Sequence, residues 1–465
     1  MTVGFALRRF GLCGGPEDLA RLGRDPRGAL LNEIAEIVRS PTPAPRGLLT
    51  TASAAEAFVA KREEGRQRRM EIEMQARERT EAGGGAMQAP LTVRALREGL
   101  ANGDVWQQEL GHLMSSAIST RRPLEERLTL FWTNHFTVSA QRAQVAQMIG
   151  AYERDALRPH MLGRFEDLLR AAVMHPAMLR YLDNAASIGP NSPLGRGRRS
   201  VNENLAREVM ELHSLGVDGG YTQADVTAFA AALSGWTAGV WQPEGGAGGT
   251  VFDPQRHEPG PRIILGRTYP DTGEGQAIAV LRDLAAHPST ARFVTRRLAT
   301  HFLGDNVPPA IPARLAAVWT RTGGDLRAVT EALLQLPEAW TLPMVKMRSP
   351  VEFAMAASRV IGQAQPAGPL LRDLGAMGQL VFRANSPKGW PDEDNAWTSP
   401  DGIKTRLDWS MNVAAGLAAQ ADPRQLAEQA FGPALTPATR QAVARAESPR
   451  QGIAILLMSP EMQRR

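Results

Sequence analysis

The groups best placed to do chemistry lie between Val201 and Thr237, in VNENLAREVMELHSLGVDGGYTQADVTAFAAALSGWT. Glu208 and Glu211 are three apart, so a helix puts them on one face, with Asn204 a turn earlier. His213 falls about 140° round the helical wheel from Glu208. The two therefore flank the apolar stripe of Leu205, Val209 and Leu212 on opposite sides. Ionisable groups beside a buried stripe are usually partnered or functional. Carboxylates and imidazoles are the ligand set of Fe, Mn and Zn, and a carboxylate can instead act as a general base. Arg207, spaced to pair with Glu203, is a candidate anion clamp. The plain alternative is a solvated helix face laced with ion pairs.

Two other stretches add imidazoles. His135 sits in FWTNHF, where a histidine among aromatic rings is more often a core residue bonded to backbone than a ligand. Its position at a helix end, beside Asn134, Thr137 and Ser139, also suits a site. FDPQRHEPGPRIILG brings Asp253, His257 and Arg262 onto one Pro- and Gly-rich segment. The resulting expectation assigns catalysis to Glu208, His213, His257 and Arg207, and a divalent metal to Glu208, Glu211, His135 and Asp253. A di-iron bundle would need two Glu-x-x-His motifs. Neither spacing fits, because Glu211 and Glu208 lie two and five residues before His213.

Helices must position these groups. Ser200 or Asn202 can cap the first, Gly216 suits its left-handed stop, and Thr222 with Asp225 forms a capping box for the next. Ala, Leu and Arg dominate and Val/Ile runs are few, which argues for a mainly all-α, large multi-helix bundle. One short irregular or β-hairpin insertion is expected around 250–266, with Phe252 and Ile263–Leu265 as strands. Residues 1–90 read as N-terminal helices, a Pro-rich linker at Ser40–Gly47, and a long charged helix from Ala54 to Glu81 ended by Gly83–Gly85. Residues 91–465 read as the main helical domain, carrying the 201–237 motif.

The 465 residues suffice for two or three domains. A net charge of +5 with no binding motif does not point to nucleic acid. A single cysteine, Cys13, excludes an internal disulfide and a cysteine-based metal cluster. No run reaches the roughly 18 apolar residues of a membrane span. The N-terminal MTVGFALRRFGLCGG lacks the apolar run of a signal peptide, so synthesis as a cytoplasmic protein is expected, with export alongside a partner left open.

Several segments together carry a family resemblance: FWTNHF (131–136), residues 202–237, FDPQRHEPGPRIILG (252–266), HPSTARFVTRRLATHFLGD (287–305), K-x-R-S-P-x-E-F (346–353) and MGQ…PKGWP…W (377–397). From about Ala6 onward the chain resembles the bacterial domain-of-unknown-function 1800 family. The resemblance implies a largely helical fold. It also implies a shared pathway or complex with a sulfatase-like protein of the domain-of-unknown-function 1501 family, whose genes often lie nearby. It carries over no catalytic residues. The functional expectation is a metal-assisted enzyme, hydrolase or oxidoreductase undecided, acting with that partner. The alternative is a non-catalytic scaffold or maturation partner of it.

Overall fold

The structure, a computed structural model, describes residues 3–15, 17–81, 103–197, 200–239, 249–417 and 421–465. The expected Gly83–Gly85 break, and Arg198 and Arg199 just before the central motif, lie outside the described residues.

Helices build most of the described chain, joined in many places by Pro- and Gly-marked turns. The start signals are local and simple. Asp25, Thr222, Asp325, Ser349, Thr436 and Ser448 each accept the first free backbone N–H groups of a helix, and Thr222–Asp225 and Ser349–Glu352 close full capping boxes.

The β structure is two small antiparallel pairs. Strand β1 (Trp236–Ala238) pairs with β2 (Thr250–Phe252), and β3 (Arg262–Ile264) with β4 (Arg267–Tyr269). The expected strands at Phe252 and Ile263 exist, but not as partners of each other. The tight turn at Leu265–Gly266, both at positive φ, returns β3 onto β4 instead.

Two apolar cores divide the molecule. One joins Ala6, Phe10 and Ile34 to Phe131, Phe165 and Phe302. The other is built on the Pro350–Ile361 helix and packs Phe353, Met355, Trp409, Ile453 and Leu457. The Pro123–His135 helix runs between them, with Leu124, Leu128 and Phe131 in the first core and Leu130 against the second.

The long Thr51–Glu81 helix is anchored at its start, where Ala54 and Ala55 enter the first core. Between Glu63 and Gln75 every residue except Gly65 and Ile72 is exposed, which suits its unbroken run of mixed charge. No helix among the described residues is long and apolar enough to cross a membrane.

The central motif departs from an ideal helix. An α-helical turn, Asn204–Glu208, passes directly into a π-helical turn, Val209–His213. The wider π turn advances each residue by less than 100°. It carries Met210 and His213 into the interior beside Leu205 and Val209, and leaves Leu212 only half-buried. Gly216 ends the segment at φ +84°, as expected.

Candidate functional site

A cavity of about 180 Å³ opens where the two cores meet. The Pro123–His135 helix forms one wall. Glu126, Thr129, Leu130, Thr133 and Asn134 recur at helical spacing on the cavity side. The start of this helix is held by a neighbouring element, since Glu33 Oε1 accepts the N–H groups of Leu124 (2.7 Å) and Glu125 (3.1 Å). The Gly103–Ser119 helix supplies a second wall through Glu109, His112, Leu113 and Ser116, again at i, i+3, i+4 and i+7. Gly150 lets that helix approach, because a Cβ there would collide with the Glu109 carboxylate. Arg154 meets that carboxylate at 2.6 and 2.9 Å.

The third wall is irregular chain. Val381, Phe382, Trp390, Asp392 and Trp397 line it. Asn134 holds this segment as a strand partner would: its Oδ1 accepts from Trp390 N (2.7 Å) and its Nδ2 donates to Trp390 O (2.9 Å). Gly389 permits the approach. It sits at φ +83°, and a Cβ there would lie 2.5 Å from the Asn134 carbonyl. The same segment is anchored from below by Lys346, whose buried ammonium meets Asp305 (2.5 Å), Asp392 (3.7 Å) and Asp394 (3.9 Å), and donates to the Asp392 carbonyl.

A buried ionic network closes the floor. Glu352 lies between Arg127 and Arg465 (2.9 Å). Burial alone would raise its carboxyl, but Arg127 and Arg465 hold it well below the usual range. His301 Nε2 accepts from Arg127 (3.0 Å), and its Nδ1 lies 3.4 Å from Asp392. Burial, Arg465 and Arg127 push this imidazole down to about 4, so it is neutral at pH 7. Burial would also raise Asp392, yet His301 and Lys346 bring it to about 2. The floor is therefore fixed charge, its carboxylates paired with Arg127, Arg465 and Lys346.

The groups left to face a ligand are at the opposite end. His112 Nε2 lies 3.3 Å from Ser116 Oγ, one turn away on the same helix. Burial and Arg154 lower the His112 pKa, leaving a neutral imidazole. Arg158 meets Glu126 (2.9 and 3.0 Å) and Glu153 (2.7 Å) beside the pair.

The residues singled out by spacing sit elsewhere. None of Arg207, Glu208, Glu211, His213, Asp253, His257 or His135 lines this cavity or the second one described below. His135 and His213 do meet, but as structural ties. His135 Nε2 donates to the His213 carbonyl (3.2 Å), and His213 Nδ1 to the His135 carbonyl (2.9 Å). Arg297 donates to His135 Nδ1 (3.0 Å), so neither ring nitrogen of His135 is open to a metal. Burial depresses both histidines, His135 well below its usual value with help from Arg297, and His213 to about 3.

Glu208 and Glu211 remain a half-buried carboxylate pair. Burial and Glu211 raise Glu208, and Tyr221 donates to Glu211 at 3.4 Å. Arg207 binds Glu203 (3.1 Å) and Gln223 (2.8 Å). Asp253 accepts from Gln255 N (2.9 Å) and Arg256 (3.2 Å), while His257 donates to the Ser234 carbonyl (2.9 Å). Among the described residues, no group of three His, Cys, Asp or Glu side chains is arranged to hold a metal ion.

The model of the family described as "Protein of unknown function (DUF1800)" matches residues 5–464. The chain belongs to the DUF1800 family. No curated protein and no solved structure matches it. Four of the segments that carry the family resemblance meet at the cavity. Asn134 comes from FWTNHF, His301 from the 287–305 segment, Ser349 and Glu352 from K-x-R-S-P-x-E-F, and Trp390 and Trp397 from the 377–397 segment. His112, Ser116, Glu126 and Arg158 lie outside all of them, and no local motif marks them. Only the 3.6-residue recurrence of polar groups on the 103–119 and 123–135 helices hinted at a shared lined surface.

Proposed function

We propose that this protein binds a small organic molecule, largely apolar with one hydrogen-bonding group, in the 180 Å³ cavity, and that His112 and Ser116 are the groups placed to act on it. The observation that carries this reading is a cavity at the junction of two cores whose floor is a charge-paired ionic network and whose far end holds a neutral imidazole beside a hydroxyl. Concave sites with apolar walls and a few convergent polar groups are the usual form of small-molecule sites. A neutral imidazole is the form that accepts a proton. The metal-assisted chemistry expected around Glu208, Glu211, His135 and Asp253 draws no support from how those donors are placed.

The test is to fill the cavity. Thr133 is exposed on its wall, so Thr133→Trp adds bulk into the space without disturbing either core. Saturation-transfer NMR with aromatic amide fragments is expected to show binding to the wild type and none to Thr133→Trp at unchanged thermal stability. Binding that survives in the filled variant would place the site elsewhere.

A second reading, a non-catalytic scaffold for the sulfatase-like protein, is supported by the projecting Thr51–Glu81 helix. Deleting residues 61–81 would then abolish co-purification of the two proteins. Unchanged co-purification would reject that helix as the contact.

A further inference from the structure

A second cavity, of about 220 Å³, lies on the other side of the waist formed by His112, Ser116, Glu126, Glu153 and Arg158, and these five residues line both cavities. Its outer wall is apolar. The Pro-rich linker contributes Pro41, Pro43 and Pro45, with Ile37, Met161 and Leu162 opposite. The linker is held in place as a strap. Thr42 donates to Glu125 (2.8 Å), and Arg122 donates to the Ser40 carbonyl (2.7 Å). Two chambers with mainly apolar walls thus share one polar wall.

We propose that the two chambers form a single elongated site, and that its ligand carries an apolar group at each end joined through a central amide. This deepens the proposed function and rests on it. The waist selects the central group by its hydrogen-bonding inventory. The carboxylates of Glu126 and Glu153 are already charge-paired with Arg158, and Glu109 beside them is paired with Arg154. Their remaining lone pairs call for a donor, not for a full charge. With the neutral His112 donating its Nε2–H to Ser116 Oγ, the Ser116 hydroxyl proton is left to donate toward an acceptor. An amide supplies one N–H and one C=O on opposite edges, which matches both. A carboxylate ligand would face three acceptor side chains whose arginines, Arg154 and Arg158, are already paired, and a hydrocarbon would leave the waist unsatisfied. The first chamber ends on the paired ionic floor and the second on the Pro-rich strap, so the unpaired hydrogen-bonding capacity is concentrated at the waist.

Isothermal titration calorimetry with benzamide, N-benzylbenzamide and benzyl benzoate tests this. Benzamide occupies one chamber and N-benzylbenzamide spans both, while benzyl benzoate spans both without the central N–H. We expect N-benzylbenzamide to bind at least tenfold more tightly than benzamide, and benzyl benzoate to lose most of that gain. Val38 lines the second chamber and is 45 % exposed, so Val38→Trp can close the chamber from its rim. It is expected to remove the advantage of N-benzylbenzamide while leaving benzamide binding unchanged. Equal affinities for benzamide and N-benzylbenzamide, or an advantage that survives Val38→Trp, overturn the two-chamber site and leave the first cavity as the binding site. Absence of binding by all three probes overturns the proposed function along with it.

Discussion

Glu33 allows a sharp test of how the site is held. Its carboxyl is buried to 3 % exposure, Oε1 caps the Pro123–His135 helix, and Oε2 has no hydrogen-bond partner among the described residues. Burial outweighs those two backbone bonds and lifts its pKa from 4.5 to about 8. A carboxyl whose folded-state pKa lies above its unfolded value stabilises the fold fully below the unfolded value. That stability is lost as pH rises through the folded one. The window here therefore runs from 4.5 to about 8. At about 1.4 kcal/mol per pH unit, the gap of about 3.5 amounts to at most about 5 kcal/mol of stability lost by pH 9. Glu33→Gln keeps the acceptor for both backbone groups and cannot ionise. Urea unfolding at pH 5 and pH 9 should show the variant close to wild type at pH 5 and more stable than wild type at pH 9. Every other titrating group is common to both proteins, so the difference between their pH slopes belongs to Glu33. Identical slopes would refute the argument that an uncompensated carboxyl sits beneath the cavity wall.

Three further outcomes follow from the same geometry. Asn134→Ala removes two side-chain to backbone bonds worth about 1 kcal/mol each. Amide exchange across residues 389–397 should accelerate by roughly ten- to thirtyfold with little change in the Pro123 helix, and uniform exchange would show that the side chain is not what holds the segment. Lys346→Met strips the counter-charge from Asp305, Asp392 and Asp394, and should cost about 3–5 kcal/mol in denaturant unfolding, as breaking a buried pair typically does. Adding Asp305→Asn to that variant should recover part of the loss, and strict additivity would mean that the pair does not interact. His213, held near 3, contributes stability present above pH 6.5 and lost as pH falls toward 3. His213→Asn, which can still donate to the His135 carbonyl, should flatten thermal stability between pH 6.5 and 4. A variant as acid-sensitive as wild type would remove His213 from the account.

The helical class, the capping box at Thr222, the Gly216 stop and the Glu203–Arg207 pair were all legible in the chain, because caps, stops and pairs are set by neighbours within four residues. The 100° wheel misled at Leu212, where a π turn rotates the following residues and no residue type announces it. It also made Glu208 and His213 look like one candidate site, although His213 bonds to a carbonyl 78 residues away. The partnering of strands was beyond it as well, since Phe252 and Ile263 pair with Trp236 and Thr268.

What the sequence determined by itself is where helices begin and end and which faces are apolar, since those follow from backbone capping and periodicity. What only the tertiary structure decided is which polar groups share a space. His112, Glu126, Arg158 and Glu352 come from four different elements, and the two cores leave a gap where those elements meet. A cavity is a failure of packing between surfaces far apart in the chain, so no local pattern of residues can encode it.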